Sequence, residues 1–542
     1  MFLASSAAIA LAACSNDGSS TAPTGSTGGS TQGSNPGSTT PPETAPGSTT
    51  TTIPVPTLTS DPFTLGVASG DPDATSVILW TRLAPDPTNA GGMPESDAPV
   101  TWELATDDSF ATVVASGVHV ATAAQGHSVH VTAAPPLGTV AAGTAGPFVY
   151  RFRIGPWVSP TGRTALAPSG ATDTARFVSA SCQNYEDGYY AAHHDIAAQR
   201  PDFVVWLGDY IYEGAGSPPG SGGSVRSHGA PEPMDLVAYR NRYALYKLDA
   251  NLQLAHCACP WFIIWDDHEV ENNYAALTPQ DPADAAGFAE RRHAAYTAWW
   301  EHQPVRLDPP PATGEYRIYR GVQWGDLIGM ALLDTRQYRS DQACGDAVLN
   351  LEPACPETFD DARTLTGPEQ EQWLFDTIGK QGTTWNVIGQ QVVMANITFN
   401  GAVLNYDQWD GYPKDRQRIL QHLADAAVPN AIVLSGDIHL AGVAVLRAGE
   451  PGTGKAVAIE FVDTSISSGG LVNESVTALV KSFPDIVDVE LAHRGYTLHT
   501  VTPRSWTADY RMVADATDAN SAVSTYQSFV VDTGTTAVRV AV

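Results

Sequence analysis

An apolar run ends on an acid and a phenol in the stretch VVWLGDYIYEG, residues 204–214. Asp209 directly follows the apolar residues, and Tyr212 stands three positions further along the chain. A carboxylate and a phenol can both bind a metal ion, and a phenolate suits a strongly Lewis-acidic ion such as Fe³⁺. Taken alone, however, a Gly-Asp pair after a strand is most often only a turn.

Three other apolar runs end in the same way. They are FVSASC, which ends at Cys182; FIIWDDHE, which ends at Asp266, Asp267, His268 and Glu269; and IVLSGDIH, which ends at Asp437 and His439. Each has an ordinary alternative, since a strand-end cysteine is commonly a small buried side chain and an acidic stretch is commonly a solvated loop. Functional groups that follow strands of an open α/β sheet meet at one edge. We therefore expect all four strand ends to converge.

The combined set of side chains suits a two-metal hydrolase. One carboxylate bridges two cations about 3.5–4 Å apart in such enzymes, and the remaining ligands hold each ion from outside. A phenolate with a thiolate favours Fe³⁺, whereas carboxylate and amide oxygens favour Ca²⁺, Mg²⁺ or Mn²⁺. The pair clamps a phosphoryl group and activates water for in-line attack at phosphorus.

The elements that carry these residues alternate between strands and helices from Arg176 onward. Helical spacing occurs at residues 185–200, 234–258 and 286–303, between the apolar runs described above. The runs are continuous rather than alternating, as expected for strands that are covered on both faces. This pattern predicts an α/β catalytic domain over residues 175–542.

A different pattern precedes this region. Short stretches rich in valine, threonine and aromatic residues alternate apolar and polar side chains at residues 76–83, 100–105, 111–120, 127–134 and 147–155. Such a series predicts a β-sandwich of immunoglobulin or fibronectin type over residues 61–170.

The N-terminus resembles a bacterial lipoprotein signal over residues 1–14, with lipidation at Cys14. Its apolar stretch is too short to span a bilayer, and no lysine or arginine precedes it. Residues 15–60 consist almost entirely of Ser, Thr, Gly and Pro, which predicts a disordered tether. We expect an exported lipoprotein at the cell envelope whose only membrane contact is this anchor; a disordered apolar tail is the alternative.

Composition and charge limit the classes of binding partner that we expect. The chain has 542 residues, with 29 Lys and Arg against 58 Asp and Glu, so its formal net charge is −29. Such acidity argues against binding to a nucleic-acid backbone. A small phosphate ester stays compatible, because bound metal ions reverse the local field. We expect two domains and a monomer.

Four of the six cysteines form two pairs that are close in sequence. Cys344 and Cys355 flank a polar loop and predict a loop-closing disulfide in an exported protein. Cys257 and Cys259 stand too close together in sequence to pair easily.

Several stretches together resemble the alkaline phosphatase D family, the PhoD-like branch of the metallophosphoesterases. These stretches are FTLGVASGDPDATSVILWTRL (63–83), FVSASCQ (177–183), WLGDYIYEG (206–214), WDDHEVENNY (265–274), LLDTRQYR (332–339) and LSGDIHLAGV (434–443). The resemblance covers about residues 63–510. It implies a metallophosphoesterase-type αββα sandwich behind the N-terminal domain. The Gly-Asp-x-x-Tyr stretch is also similar to that of purple acid phosphatases.

The resemblance implies roles for individual residues. Asp209 would bridge two metals, Tyr212 and Cys182 would bind iron, and Asp267 would bind the second metal. His268 would stabilise the phosphate or protonate the leaving oxygen.

Further ligands follow from the same resemblance. Asp437 and His439 stand where the wider superfamily has Gly-His-x-His, and we expect both to bind metal. Asp266 is an additional candidate ligand, and Asn273 is a candidate for either a metal or the substrate.

Three positions are less clearly matched. Gln390 and Gln391 stand where the superfamily often has a ligand histidine, which predicts a loosely held second metal such as Ca²⁺. Arg336 could contact a substrate phosphate or pair with Asp334.

The resulting hypothesis is a phosphohydrolase that cleaves phosphomonoesters and phosphodiesters by attack of metal-activated water, with an optimum above neutral pH. A phospholipase D-like activity on lipid headgroups is the first alternative. A non-catalytic surface lipoprotein is the second.

Overall fold

The structure is a computed structural model that describes residues 53–136, 146–346, 351–470 and 474–541. The predicted signal at 1–14 and most of the tether predicted at 15–60 lie outside these ranges. Within them, every helix is too short or too polar to cross a membrane.

The described chain contains strands and helices in alternation. The strands are β1 (Val67–Gly70), β2 (Val77–Arg82), β3 (Ala98–Ala105), β4 (Val113–Ala121), β5 (Ser128–Ala133), β6 (Phe148–Ile154), β7 (Trp157–Val158), β8 (Gly162–Thr164), β9 (Ala175–Ala180), β10 (Phe203–Trp206), β11 (Trp261–Ile263), β12 (Arg320–Trp324), β13 (Ile328–Leu332), β14 (Trp385–Gly389), β15 (Ala431–Ser435), β16 (Ala441–Ala448), β17 (Lys455–Val462), β18 (Ile486–Glu490), β19 (Arg494–Val501), β20 (Ser505–Val513), β21 (Val523–Asp532) and β22 (Val538–Val540). The helices are α1 (Ala191–Gln199), α2 (Leu236–Lys247), α3 (Ala250–Ala258), α4 (Phe288–His302), α5 (Gly367–Thr377), α6 (Pro413–Asp425) and α7 (Glu474–Val480).

Two large sheets form the body of the protein. The first has the strand order β22-β21-β20-β19-β9-β10-β11-β1-β2-β5, and the second has the order β12-β13-β14-β15-β17-β16-β18. Their central strands, β9-β10-β11 and β13-β14-β15-β17, are parallel. All of these except β9 and β17 are buried along their whole length, as expected for strands covered on both faces. The predicted mixed α/β architecture is confirmed.

Apolar clusters hold the layers together. The largest cluster joins residues of both sheets, including Phe177 and Val205 of the first and Val387 and Phe461 of the second. Another packs α5 and α6 against the second sheet through residues such as Leu374 and Ile419. Parallel strands run toward one edge of each sheet, and that edge carries the residues predicted to bind metal.

The N-terminal strands form a separate small sheet that packs against part of the largest sheet. Strands β4-β3-β6-β7 make a separate sheet, and its apolar side chains cluster with those of β1, β2 and β5. Strand β1, however, pairs with β11 in parallel through Gly70 and Trp261. The N-terminal region therefore contributes three strands to the largest sheet, which the sequence pattern did not predict. The boundary between residues 61–170 and 175–542 stays a prediction.

Buried polar contacts reinforce this junction. Trp80 Nε1 donates to the Glu301 carbonyl (3.0 Å), and an Arg82 nitrogen lies 2.9 Å from His302 Nε2. The Lys247 ammonium lies 4.4 Å from the centre of the Trp80 ring, and burial lowers its pKa well below the usual value.

Some predicted boundaries differ from the structure. The helical pattern at 234–258 forms two helices, because the Asp249 carboxylate caps α3 by accepting from the N–H groups of Asn251 and Leu252. The strands β17–β22 and helices α5–α7 occupy regions that the sequence pattern left unassigned. The predicted disulfide between Cys344 and Cys355 is present, whereas Cys257 and Cys259 stay outside any disulfide.

Candidate metal centre

Four strand ends converge at one edge of the two sheets. Possible ligand atoms lie within 4.8 Å of one another in three sets: Cys182, Asp209 and His439; Asp209, Asp267 and His268; and Asp266, Asp267 and Asp437. Asp209 and Asp267 each belong to two sets, so the sets form one continuous cluster. The predicted convergence is observed. We call Cys182, Tyr212 and His439 the thiol half, and Asp266, Asp267 and Asp437 the carboxylate half.

The thiol half is arranged around the Tyr212 hydroxyl. This oxygen lies 3.0 Å from Asp209 Oδ2 and 2.9 Å from His439 Nε2, and it accepts a hydrogen bond from Ser468 Oγ (2.8 Å). His439 Nδ1 lies 2.6 Å from the Gly469 carbonyl, which can only accept. The proton is therefore on Nδ1, and Nε2 carries the lone pair that can bind a metal, the usual arrangement for a ligand histidine.

Unusual backbone angles accompany the strand ends. The φ angles are +60° at Cys182, +56° at Asp209, +67° at Asp437, +56° at His439 and +52° at Asn273. Residues other than glycine seldom adopt this region, and each instance costs about 1–3 kcal/mol. Such outliers cluster at functional sites, where the surrounding structure holds them.

The carboxylate half surrounds the guanidinium of Arg336. Its Nε donates to Asp266 Oδ1, and one terminal nitrogen lies 3.2 Å from Asp437 Oδ1 and 3.5 Å from Asp267 Oδ1. The other terminal nitrogen donates to Asp407 Oδ1 (2.7 Å).

Arg336 does not pair with Asp334 through its side chain. The Asp334 carboxylate instead accepts from the backbone N–H groups of Arg336 (2.9 Å) and Gln337 (3.0 Å). The guanidinium is fully buried, and its nitrogens form ion pairs with the surrounding carboxylates. Its positive charge therefore offsets part of the negative charge of the cluster.

The cluster carries more negative charge than its own cations neutralise. Burial, reinforced by neighbouring carboxylates, raises the pKa of Asp209 and of Asp266 well above the usual range despite opposing contributions from His268 and Arg336, and burial raises that of Asp437 to about 6. Asp209 Oδ1 is buried and has no hydrogen-bond partner among the described residues. Such an orphaned, buried carboxylate oxygen at the junction of the two halves fits a metal ligand.

His268 is held by a carboxylate. Its Nδ1 lies 2.7 Å from Glu213 Oε2, and its ring stacks on Tyr212 with centroids 4.1 Å apart. Glu213 Oε1 also accepts from the Asn272 N–H (2.7 Å). Burial lowers the pKa of His268, but Glu213, Asp209 and Asp267 together raise it well above the usual value.

Glu269 fixes the loops that follow β10 and β11. Its carboxylate accepts from the backbone N–H groups of Asp209 (3.0 Å), Tyr210 (2.5 Å) and Asp266 (2.8 Å). Because Glu269 is fully buried, its role in the structure is to hold the Asp209 and Asp266 turns together.

The side chains of Gln390 and Gln391 form hydrogen bonds with neighbouring loops and strands rather than with the candidate metal ligands. Gln391 Nε2 donates to the carbonyls of Trp265 (2.7 Å) and Leu333 (3.0 Å), and its Oε1 accepts from the Thr335 hydroxyl (2.8 Å). The Gln390 amide similarly donates to Ser435 Oγ (2.6 Å).

Asn273 reaches the cluster through its backbone. Its N–H donates to Asp267 Oδ2 (2.6 Å), while its side-chain amide donates to Asp346 Oδ2 (3.1 Å). Through these contacts Asn273 orients Asp267.

Sequence reasoning missed Asp407, Ser468 and the role of Glu213. Glu213 lies within the quoted stretch beside Tyr212, so its proximity carried a signal. Asp407 follows no strand, and Ser468 belongs to a loop after β17 that no pattern linked to the site.

The chain is similar to known proteins over most of its length. A family model described as "PhoD-like phosphatase" matches residues 177–510, and one described as "PhoD-like phosphatase, N-terminal domain" matches residues 48–168. The chain is 42% identical over 494 residues to "Alkaline phosphatase D" of Bacillus subtilis (strain 168), covering 89% of this chain and 83% of that protein. A solved structure titled "Structure of PhoD" matches with a TM-score of 0.84 and 42% identity, covering 90% of this chain and 93% of that one. The chain belongs to the PhoD-like phosphatase family, and this membership implies a phosphatase.

Proposed function

We propose that this protein is an exported, metal-dependent phosphohydrolase that cleaves phosphomonoesters and phosphodiesters. The observation that carries the proposal is the continuous cluster in which Asp209 lies beside Cys182 and His439 of the thiol half and beside Asp267 of the carboxylate half. One buried oxygen of Asp209 has no hydrogen-bond partner among the described residues. The surrounding scaffold is inferred to be a metallophosphoesterase-type αββα sandwich over 175–542, behind an immunoglobulin-like or fibronectin-like sandwich over 61–170.

The donor types assign the ions. Fe³⁺ fits the thiol half, because thiolate, phenolate and imidazole meet there beside Asp209. Ca²⁺ fits the carboxylate half, where every ligand is a hard oxygen, and Mn²⁺ or Mg²⁺ fit the same donors. When bound by these residues, two cations would supply Lewis acidity that neutralises phosphoryl oxygens and makes water a stronger nucleophile.

Side chains of the protein carry out proton transfer and charge compensation. His268 supplies a proton to the leaving oxygen, since a ring nitrogen lies within 4.8 Å of ligand atoms of Asp209 and Asp267 and Glu213 Oε2 holds the ring at Nδ1. Arg336 limits the repulsion among the carboxylates below the substrate. It acts through those carboxylates rather than on the phosphate.

The proposed location and partners of the enzyme are inferred from the sequence. Lipidation at Cys14 and the tether at 15–60 would hold the enzyme at the cell envelope, where it would release phosphate from small esters. The acidic surface, with a net charge of −29, makes nucleic acid an unfavourable partner.

The test uses the full chain and two variants. We expect purified protein to contain iron, to show a visible phenolate-to-iron band, and to hydrolyse aryl phosphates and bis-aryl phosphates in the presence of Ca²⁺. Asp209→Asn should lower kcat/KM more than about 100-fold, whereas Asp518→Asn, an exposed change, should not. Colourless protein that lacks iron and hydrolyses neither ester with added Ca²⁺ would instead support a non-catalytic lipoprotein.

A further inference from the structure

The disulfide anchors one residue of a segment that has strained backbone and lies beside the metal centre. Cys344 is bonded to Cys355, and we call residues 342–346 the cysteine segment. The φ angles of Cys344, Gly345 and Asp346 are +58°, +69° and +52°. For Cys344 and Asp346 this conformation costs about 1–3 kcal/mol each, so outside contacts must hold it.

The cysteine segment forms hydrogen bonds with both the side chain and the backbone of Asn273. Asp346 Oδ2 accepts from Asn273 Nδ2 (3.1 Å), and Gln342 Nε2 donates to the Asn273 carbonyl (2.8 Å). The Asn273 N–H in turn donates to Asp267 Oδ2 (2.6 Å). The orientation of Asp267 therefore depends on a residue that the cysteine segment fixes.

A second link runs from the same segment to Arg336. Gln342 Nε2 also donates to Asp407 Oδ1 (2.7 Å). Asp407 accepts from Arg336 (2.7 Å), and Arg336 contacts Asp266 and Asp437. The cysteine segment thus reaches every member of the carboxylate half through one or two intermediates.

The thiol half is oriented from elsewhere in the chain. Ser468 Oγ donates to the Tyr212 hydroxyl (2.8 Å) and accepts from the Asn184 N–H (2.8 Å). His439 is fixed by the Gly469 carbonyl. These contacts of Tyr212 and His439 therefore involve no residue of the cysteine segment.

We propose that Asp346 and Gln342 are positioning residues through which the Cys344–Cys355 disulfide sets the affinity of the carboxylate half for a divalent cation. The inference rests on the proposed function, because it assumes that this half holds such an ion. It predicts that damage to the cysteine segment weakens Ca²⁺ binding and spares the thiol half.

The experiment compares the two halves in one protein. Wild type, Asp346→Ala, Asp346→Asn and the double variant Cys344→Ser/Cys355→Ser are purified as full chains with iron. Ca²⁺ affinity is measured by calorimetry, and iron content and the visible phenolate-to-iron band are measured on the same samples. Outer contacts of this kind change metal affinity about 10- to 100-fold. We expect that loss in Asp346→Ala and in the double variant, with iron and colour unchanged. Asp346→Asn should bind more tightly than Asp346→Ala, because its side-chain oxygen can still accept from Asn273.

Controls separate positioning from general damage. Asp360→Asn, which changes an exposed carboxylate that accepts from the Ala362 N–H, should match wild type. Ca²⁺ affinity within twofold of wild type in Asp346→Ala and the double variant would overturn the inference alone. Loss of iron together with Ca²⁺ would overturn it too, since it would show unfolding or a shared support. Wild-type protein that binds neither ion would remove both the inference and the proposed function.

Discussion

The contact between Glu213 and His268 leads us to predict that Glu213→Gln slows substrates with poor leaving groups more than substrates with good ones. Glu213 is buried, and its Oε2 lies 2.7 Å from His268 Nδ1. Glu213→Gln keeps the size of the side chain and an oxygen that can accept from the Asn272 N–H. It removes the negative charge that holds the imidazolium.

The expected effect follows from the energy of this contact. A buried hydrogen bond to a charged group contributes about 1.5–3 kcal/mol, which corresponds to about 10- to 100-fold in rate. An alkyl phosphate needs a proton on its leaving oxygen, because an alkoxide is a poor leaving group. A nitrophenolate leaves without that proton. We therefore expect kcat to fall about 10- to 100-fold for an alkyl phosphate and less than about threefold for nitrophenyl phosphate.

The assay is steady-state release of phosphate from both esters with the iron- and Ca²⁺-loaded enzyme. Glu271→Gln is the matched control, since Glu271 is also buried but pairs with Arg291 (2.8 Å) rather than with His268. An equal loss of kcat for the two esters in Glu213→Gln would refute the proton-donor role. The same substrate-dependent loss in Glu271→Gln would show that the effect comes from general disturbance of this loop.

Three further predictions concern single side chains. Tyr212→Phe should abolish the phenolate-to-iron band, and an unchanged visible spectrum would exclude Tyr212 as an iron ligand. Gln391→His should lower the urea midpoint without raising metal content, because it breaks hydrogen bonds to Trp265 and Leu333 that contribute about 1 kcal/mol each; a gain in bound metal would contradict the structural role. Burial raises the pKa of Asp463 to about 7 from its ordinary 3.8. Because the folded form then keeps a proton that the unfolded chain releases, stability falls as pH rises from about 4 to 7. Between pH 5 and pH 8, the free energy of unfolding of Asp463→Asn should therefore rise by about 3 kcal/mol relative to that of wild type, measured by denaturant unfolding, and parallel pH profiles of the two proteins would disprove the buried acid.

Much of the site was predictable because its residues follow strands directly. A buried apolar run places the next polar side chain at the sheet edge, so Cys182, Asp209, Asp267 and Asp437 could be grouped without knowledge of their distances. Asp407 could not be grouped in this way, since it reaches Arg336 from a loop whose path depends on tertiary packing. Ser468 is close to Tyr212 only because β17 lies beside β15 in the second sheet.

The fold was predictable to a similar extent. Periodicity indicated α/β structure, but it contains no information on which strands pair across long distances. The parallel pairing of β1 with β11 joins segments almost two hundred positions apart in the sequence, and the break at Asp249 depends on a capping carboxylate within a continuous helical pattern.

The pairing of β1 with β11 also bears on how this protein could have diverged. A module attached by a loop can be exchanged between genes, whereas one that shares a sheet with its neighbour leaves exposed strand edges when it is removed. Chimeras that take residues 61–170 from a distant homologue should therefore aggregate unless the strand edge and the contacts of Trp80 and Arg82 are transferred with them. Natural selection would then act on both parts as one heritable unit.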